Sequence, residues 1–356
     1  MSSTNLSQTP VGNPQKPRQF DDFLDKVICG DSANVLFDLP EKSIDTVVTS
    51  PPYFNQRDYG TSLGGERSVD EYITGILRVF LQCARIVKDT GSVFINMGDK
   101  YADSSLLLIP YLFAKRAHQE SGLKLINQIT WVKPNPEPRQ FKRRLVSATE
   151  PIFHFVKTEN YRYFPDRFLE GLQANRESKD YRNGRIGGKY FDLIDKAELD
   201  EKEKQAALAE LQQVIQEVKD GKIWSFRMKI RGIHSAAYGG YEGGRRAHIR
   251  LKGFTIIRMY DRPLKRDVIE TPILNERFLN HPAIYPETLV RECLNLTTES
   301  GDVVLDPFLG SGTTAVVAKS MGRRYVGVDT NQEFCELART RLRETPAQTN
   351  LFEFIA

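Results

Sequence analysis

The sequence predicts a doubly wound α/β fold, in which a mostly parallel sheet carries helices on both faces and is interrupted by an inserted lobe. Apolar strand patterns alternate with helical patterns over residues 21–160 and again over residues 270–345. Residues 161–269 between them begin with a stretch of weak periodicity that is rich in Asn, Gly, Arg and Tyr. Alternation of this kind is typical of parallel α/β sheets, so the two flanking blocks are predicted to form one sheet.

The elements of the first block follow from hydrophobic periodicity. Short apolar runs predict strands, and apolar residues spaced by three and four predict helices. Pro51 and Pro52 end the second strand, because proline cannot continue sheet pairing. In chain order we predict strands at 26–31 and 44–49, a helix at 70–88, a strand at 92–98, a helix at 106–121, and strands at 125–132 and 150–155.

The insert and the second block follow in the same way. Residues 196–219 have the pattern of a highly charged helix, which is typical of a solvated surface element. The second block is predicted to contain a helix at 286–298, a strand at 303–308, a helix at 313–322, a strand at 324–329 and a helix at 331–342.

Composition and termini exclude several classes of protein. Hydrophobic residues make up 40% and charged residues 27% of the 356 residues, which is typical of soluble globular proteins. No apolar run approaches the roughly 20 residues of a membrane span, and the N-terminus has no apolar core of a secretory signal. Residues 1–20, which are polar and contain three prolines, are predicted to be a disordered tail, and residues 346–356 a C-terminal tail. The four cysteines are far apart in sequence, so we predict no metal site and expect a reducing cytoplasm.

A glycine-rich turn after the strand at 303–308 has the features of a cofactor site. The turn contains Asp306, Phe308, Gly310, Ser311, Gly312 and Thr313. Glycines let the backbone approach a ligand closely, and the following helix offers free N–H groups at its start. Asp329 ends the next strand, where an acid is well placed to accept from ribose hydroxyls. The pair of features predicts an adenosine-containing cofactor, and the alternative is an ordinary tight turn.

The segment after the strand at 44–49 predicts chemistry on an amine. It consists of Ser50, Pro51, Pro52 and Tyr53. An exocyclic amine on a base is a poor nucleophile because its lone pair is delocalised into the ring, so a catalyst must accept hydrogen bonds from its N–H groups. The Ser50 hydroxyl and the Pro51 carbonyl supply acceptors, and proline adds no competing N–H donor. Tyr53 would stack on a base taken out of the duplex. The alternative is a surface turn.

Together these motifs resemble the amino-methyltransferases of DNA, which act on cytosine N4 or adenine N6. That family shares a (D/N/S)PP(Y/F) motif. The order of catalytic motif, recognition region and cofactor turn resembles its permuted beta class. In that order residues 21–160 and 270–345 form the catalytic and cofactor domain, and residues 161–269 form the target-recognition region. The resemblance covers residues 24–160 and 275–345, and it extends to the stretches 30–31, 85–91, 129–135, 281–283 and to Glu150.

The resemblance implies a permuted class I S-adenosylmethionine-dependent methyltransferase fold, with S-adenosyl-L-methionine as the cofactor. It implies that Ser50, Pro51, Pro52 and Tyr53 are catalytic. It implies that the cofactor contacts Asp31, His281, Pro282, Asp306, Phe308, Gly310, Ser311, Gly312, Thr313 and Asp329. Methyl transfer would be direct and would need no metal. None of the four cysteines follows a proline, which argues against the covalent chemistry of cytosine-C5 enzymes.

The target base is predicted from the first position of the motif. Ser50 resembles the cytosine-N4 form, whereas adenine enzymes more often carry Asp or Asn there. We therefore expect a site-specific methyltransferase that flips cytosine out of duplex DNA and methylates its N4. An adenine-N6 enzyme on the same scaffold is the alternative. An RNA methyltransferase and a non-catalytic DNA-binding protein are more distant alternatives.

A basic segment in the insert predicts contact with double-stranded DNA. Residues 222–266 contain twelve basic and two acidic residues, a net charge of +10. A field of this strength attracts polyanions, and arginine can also bind guanine with two hydrogen bonds. The candidate DNA-binding residues are Arg227, Lys229, Arg231, Arg245, Arg246 and Arg250.

Further partners follow from the resemblance alone. It allows a homodimer and a cognate restriction endonuclease that acts on the same DNA site. It also implies a bacterial or phage-type protein that is cytoplasmic and associated with the nucleoid. The charged helix at 196–219 would then be either a dimer element or a solvated spacer.

Overall fold

The chain divides into two compact units, one formed by residues 1–168 with 267–356 and the other by residues 169–266. The structure, a computed structural model, describes residues 19–56, 63–136, 143–167, 186–223, 225–234, 245–259, 266–273 and 285–346. Nearly all of the two predicted tails, together with His281 and Pro282, therefore lies outside the described residues.

Strands and helices alternate along most of the described chain. The strands are β1 (Lys26–Cys29), β2 (Ile44–Thr49), β3 (Val87–Asn96), β4 (Tyr101–Ala102), β5 (Ser105–Leu106), β6 (Lys124–Val132), β7 (Thr149–Val156), β8 (Ser225–Ile230), β9 (Phe254–Met259), β10 (Val268–Glu270), β11 (Val303–Asp306) and β12 (Arg324–Asp329). The helices are α1 (Ser32–Phe37), α2 (Val69–Ile86), α3 (Ile109–Ser121), α4 (Gly188–Asp195), α5 (Glu201–Lys219), α6 (Arg245–Lys252), α7 (Glu287–Thr297), α8 (Thr313–Ser320) and α9 (Gln332–Glu344). None of the described helices is both long and apolar enough to span a membrane.

The first unit is built around an eight-stranded sheet in the order β1-β12-β11-β2-β3-β7-β6-β10. Neighbouring strands are parallel except at β7, which is antiparallel to both β3 and β6. The predicted mostly parallel α/β sheet is therefore confirmed. Because β7 runs the other way, its first residues lie at the edge of the sheet where β2, β3 and β6 end.

Two elements begin at positions that the periodicity does not predict. Helix α3 starts at Ile109, three residues later than predicted, because Leu108 has a left-handed φ of 58° and the β4–β5 hairpin precedes it. Strand β3 starts at Val87, so Gly91 lies inside it. A Cβ on Gly91 would come within 2.6 Å of the Asp45 carbonyl oxygen, so glycine is what allows β2 and β3 to approach here.

Asp45 places a buried carboxylate in β2, with 3% of its side chain exposed. It accepts hydrogen bonds from Lys88 Nζ at 2.8 and 2.9 Å and from an Arg162 Nη at 2.5 Å. Its second oxygen also accepts from the Val303 amide at 3.0 Å, and Arg162 pairs with Asp302 at 2.9 Å. The Asp45 carboxylate therefore links residues from both blocks of the chain.

The second unit has an apolar core of its own. In helix α5 the buried residues Ala207, Leu211 and Val214 recur at a spacing of four and three. They belong to the same apolar cluster as Met228 and Ile230 of β8. The interpretation of this helix as a solvated surface element is therefore wrong for one of its faces, since that face is buried.

The second unit is shorter at both ends than the predicted recognition region 161–269. Residues 161–167 belong to the first unit, where Arg162 binds the buried Asp45 carboxylate. Strand β10 pairs with β6 as an edge strand of the large sheet, so residues 268–270 also belong to the first unit. The recognition role of the second unit stays a prediction.

We predict that Asp45→Asn lowers the free energy of unfolding by roughly 3 kcal/mol, because Lys88 and Arg162 lose a charged partner that is itself buried. Urea denaturation at neutral pH measures the change. Asp89→Asn is the control, since its ion pair with Lys42 is exposed and screened by water and should contribute little to stability. Equal effects of the two variants would contradict a special role for Asp45.

Candidate active site

The segment 50–53 follows β2 directly, at the carboxyl edge of the sheet. Ligands of open α/β sheets bind outside this edge. The last residue of β3, Asn96, and the second residue of β7, Glu150, lie at the same edge because of the strand directions. The predicted catalytic segment therefore has two polar neighbours that come from other strands.

Side chains at this edge form a hydrogen-bond network around Ser50. The Tyr53 hydroxyl donates to Glu150 Oε2 at 2.8 Å, and the Asn96 Nδ2 group donates to the same oxygen at 3.0 Å. Asn96 Nδ2 also lies 2.9 Å from the Tyr53 hydroxyl and 3.5 Å from Ser50 Oγ. Ser50 Oγ lies 3.5 Å from the Tyr53 hydroxyl, and Lys133 Nζ donates to Glu150 Oε1. The network joins the ends of β2 and β3 to β7.

The ring of Tyr53 is held from two sides. A Cβ on Gly98 would overlap this ring, so the absence of a side chain there makes room for it. The Tyr72 hydroxyl of α2 donates to the Pro52 carbonyl at 2.7 Å, which fixes the backbone just before Tyr53. These two contacts fix the turn and so position Ser50 and Tyr53.

Asp306, the last residue of β11, carries a buried carboxylate at the same edge. Its Oδ1 accepts from Thr49 Oγ1 at 2.5 Å and from the Phe308 amide at 3.0 Å. Its Oδ2 accepts from Thr314 Oγ1 at 2.6 Å and from the Tyr285 hydroxyl at 3.2 Å. Burial raises the pKa of Asp306 to about 6, although these hydrogen bonds oppose the shift.

The turn between β11 and α8 wraps around the end of β12. Asp329 Oδ2 accepts from the Gly310 amide at 2.7 Å, and its Oδ1 accepts from the Asn331 amide at 2.9 Å. Burial raises the pKa of Asp329. Gly312 has a φ of 91°, and a Cβ on it would come within 2.8 Å of the Ala338 side chain. Only glycine therefore fits at the start of α8.

Asp31 caps the N-terminus of α1 and faces the same edge. It accepts from the Asn34 amide at 3.0 Å and from an Arg78 Nη at 2.6 Å. The next residue, Ser32, donates to the Pro307 carbonyl at 2.5 Å. Asp31, a predicted cofactor-contacting residue, is thus tied to the cofactor turn, although the two lie at opposite ends of the sequence.

The remaining residues of the predicted cofactor turn have internal partners. Ser311 and Thr313 are buried, and both hydroxyls lie 3.2 Å from an Arg341 Nη, which also donates to the Ser311 carbonyl at 2.9 Å. The Phe308 ring packs against the apolar core of the first unit. These three side chains hold the turn through contacts inside the protein. The backbone of the turn is therefore the part that is left to contact a ligand.

Sequence reasoning did not select Asn96, Lys133 or Glu150 as site residues. Glu150 lies at the beginning of a strand, where parallel strands would place it at the opposite edge of the sheet. In the described structure the buried Asn96 Oδ1 has no hydrogen-bond partner, although buried polar atoms normally have one.

Comparisons with known proteins agree with this geometry. A family model for N6/N4 methyltransferases, described as DNA methylase, matches residues 44–340. The chain belongs to this DNA methylase family. Type II methyltransferase M.BglII of Bacillus subtilis is 27% identical over 329 residues, which cover 92% of this chain and 72% of that one. Type II methyltransferase M.Cfr9I of Citrobacter freundii is 26% identical over 346 residues, with 88% and 86% covered.

Solved structures share the fold. The cytosine-N4-specific PvuII DNA methyltransferase has a TM-score of 0.55 at 18% identity, with 88% of this chain and 85% of that one covered. A candidate DNA modification methylase of Thermus thermophilus, solved with S-adenosyl-L-methionine, has a TM-score of 0.50 at 21% identity, with 90% and 94% covered. This chain is therefore a DNA methyltransferase with the fold of S-adenosylmethionine-dependent enzymes.

The family's cofactor, S-adenosylmethionine, fits the residues at this edge. The molecule carries a sulfonium, an ammonium group and ribose hydroxyls. A buried carboxylate, Asp306, and a half-buried one, Asp329, lie at the ends of neighbouring strands. Glycines at the turn leave its backbone close to any ligand that binds there.

The raised pKa of Asp306 predicts how stability varies with pH. Its folded pKa of about 6 exceeds the ordinary 3.8, so the folded state binds more protons between these values. The free energy of unfolding of the wild type should therefore rise, relative to Asp306→Asn, by up to about 3 kcal/mol as pH falls through this range. Above about pH 7 the difference should be constant.

Urea denaturation of both proteins at several pH values measures this difference. Asp103→Asn, at an exposed turn, is the control for the substitution itself. A constant difference between wild type and Asp306→Asn from about pH 4 to 7 would mean that the carboxyl is not perturbed by burial.

Proposed function

We propose that this protein methylates the exocyclic N4 of cytosine in duplex DNA, at a specific sequence and after flipping the base out. The observation that carries the proposal is the hydroxyl of Ser50 at the first position of the catalytic motif, 3.5 Å from Asn96 Nδ2 at the carboxyl edge of the sheet. This hydroxyl is a neutral acceptor for an amine N–H. The PvuII neighbour, which is named cytosine-N4-specific, supports this proposal. An adenine-N6 enzyme is the alternative on the same scaffold.

The catalytic segment would orient the amine and hold the base. The Ser50 hydroxyl and the Pro51 carbonyl would accept from the two N–H bonds and direct the nitrogen lone pair to the methyl group. The Tyr53 ring would stack on the flipped base, while its hydroxyl stays bonded to Glu150. Such a site accelerates transfer mainly by proximity and electrostatics.

The cofactor would be held by the turn and the strand ends around it. Asp306 would face its cationic methionine end, Asp329 its ribose hydroxyls and Asp31 its adenine. Phe308, Gly310, Ser311, Gly312 and Thr313 would form the wall, and His281 and Pro282, outside the described residues, would complete it. When bound, S-adenosylmethionine supplies the methyl group on a positively charged sulfur.

The second unit would bind DNA through part of its basic segment. Arg227 and Lys229 alternate with the buried Met228 and Ile230 along β8, so they lie on the face away from the core. Arg250, near the end of α6, is exposed. These three residues carry the DNA proposal within the described side chains.

Arg231 is a weaker candidate for DNA contact, because it pairs with Glu203 at 2.5 Å. Arg245 and Arg246 lie in α6, and their side chains are outside the described part of the structure. A homodimer and a cognate endonuclease stay predictions from the resemblance.

The product identifies the target base. DNA of diverse sequence would be incubated with the protein and S-adenosylmethionine that carries an isotope-labelled methyl group, and its nucleosides analysed by mass spectrometry. We expect label in N4-methylcytosine. Label in N6-methyladenine would overturn the choice of base, and absence of label in DNA would overturn the proposed substrate.

The role of Ser50 is tested by Ser50→Ala. We expect the single-turnover methylation rate to fall by about 10²-fold, since an oriented acceptor for the amine is lost. Ser300→Ala, which removes a hydroxyl bonded to the Gly322 carbonyl at the opposite edge of the sheet, is the control and should keep the wild-type rate. A wild-type rate in Ser50→Ala would remove Ser50 from the catalytic assignment.

DNA contact by β8 is tested through salt dependence. In the double variant Arg227→Ala/Lys229→Ala the slope of log affinity against log salt should become shallower by about 2, because two phosphate contacts are lost. The double variant Lys26→Ala/Lys124→Ala removes the same charge at the start of β1 and β6, away from the carboxyl edge, and should keep the wild-type slope. Equal slopes in both double variants would contradict the proposed surface.

A further inference from the structure

A largely buried ion pair lies next to the catalytic segment. Lys133 Nζ donates to Glu150 Oε1, and the two side chains are only 13% and 12% exposed. Lys133 Nζ also lies 4.5 Å from the centre of the Trp131 ring. Burying a charged pair removes both charges from water, so such pairs contribute little to stability on balance. Stability therefore does not explain why an ion pair lies next to the catalytic segment.

The second oxygen of Glu150 connects this ion pair to the catalytic serine. Glu150 Oε2 accepts from the Tyr53 hydroxyl at 2.8 Å, and the Tyr53 oxygen lies 3.5 Å from Ser50 Oγ. Asn96 Nδ2 donates to both Glu150 and Tyr53, which fixes their relative position. A chain of two hydroxyl groups thus leads from the catalytic serine to a carboxylate.

Methylation of an amine leaves one proton too many on the nitrogen. The nitrogen lone pair forms the new N–C bond while the electrons of the S–C bond return to sulfur, which becomes neutral. The product nitrogen must then release a proton, and the electrons of that N–H bond return to nitrogen. Serine, tyrosine and asparagine side chains are poor acceptors of a proton at neutral pH, whereas a carboxylate accepts one readily.

We propose that Glu150 accepts this proton through Tyr53 and Ser50. Ser50 Oγ would take the proton from the amine and pass its own to the Tyr53 oxygen, and Tyr53 would pass its own to Glu150 Oε2. The ion pair with Lys133 fixes the orientation of Glu150. Glu150 is a positioning residue in this scheme, since it acts through Tyr53. The inference rests on the proposed amine methylation, and it holds for either target base.

The test compares Glu150→Gln with wild type in single-turnover methylation across a range of pH. Glutamine keeps the size of the side chain and an oxygen that can accept from Tyr53, but it takes up no proton. Glu159→Gln is the matched control, because Glu159 forms an exposed Lys–Glu pair with Lys124 at 2.7 Å near the other end of β7. Calorimetry of S-adenosylmethionine binding shows whether each variant keeps the cofactor site.

We expect Glu150→Gln to lower the single-turnover rate by about 10²-fold or more, with cofactor affinity unchanged. Protonation of Asp306, whose pKa is raised to about 6, affects wild type and variants alike. Wild type and Glu159→Gln should lose additional activity toward acid pH, and Glu150→Gln should lack this additional part of the acid limb. Glu150→Asp, which keeps the carboxylate, should restore part of the rate and this part of the acid limb. Tyr53→Phe, which keeps the ring and breaks the chain of hydroxyls, should also lack it.

Either of two results would overturn the proposal. One is a wild-type rate in Glu150→Gln. The other is a lowered rate whose acid limb is the same as that of the wild type, which would show a purely structural role. If Glu150→Gln fails to bind the cofactor, the pH dependence of the rate of Tyr53→Phe decides between the proton route and a purely structural role. The methylated base in the wild-type product is measured separately, so an error in the target base is distinguishable from an error in the proton route.

Discussion

The buried carboxylate of Asp306 is the constraint on which both halves of the site depend. It accepts from Thr49, the residue before the catalytic segment, and from Thr314 and Tyr285 in the second block of the chain. A charge in this position costs free energy unless its donors stay in place. The spacing of the catalytic segment and the cofactor turn is therefore set by one side chain that is 1% exposed.

Much of the fold was predictable because its elements have clear hydrophobic periods and end at Pro, Gly or Asp. The strands of the large sheet except β10, and the turn at 306–313, were predicted for this reason, whereas β4, β5, β8 and β9 were not. The site was predictable only where one continuous segment carries the chemistry, as in 50–53. Asn96, Lys133 and Glu150 enter it through strand pairing, and the antiparallel direction of β7 that brings Glu150 to the carboxyl edge has no local signature in the sequence.

The basic segment shows a second limit of sequence reasoning, since charges that are close in sequence need not act together in space. Arg258 pairs with Glu217 at 2.6 Å and with Glu210 at 3.6 Å, and Arg231 pairs with Glu203. These three glutamates belong to α5, which precedes residues 222–266, the segment over which the net charge was counted. Part of the apparent charge of +10 therefore holds the second unit together, and a smaller set of cations is left for a polyanion.

The pairing of β1 with β12 has a consequence for how such enzymes diversify. Lys26 lies opposite Val326, so the first and last strands of the described sheet are neighbours. The strands that come first and last in the sequence are thus paired with each other. The pairing geometry of the sheet therefore does not specify between which strands the polypeptide chain is interrupted. A gene rearrangement that joined these neighbours and opened a loop elsewhere would change the order of the motifs while preserving their arrangement around the substrate.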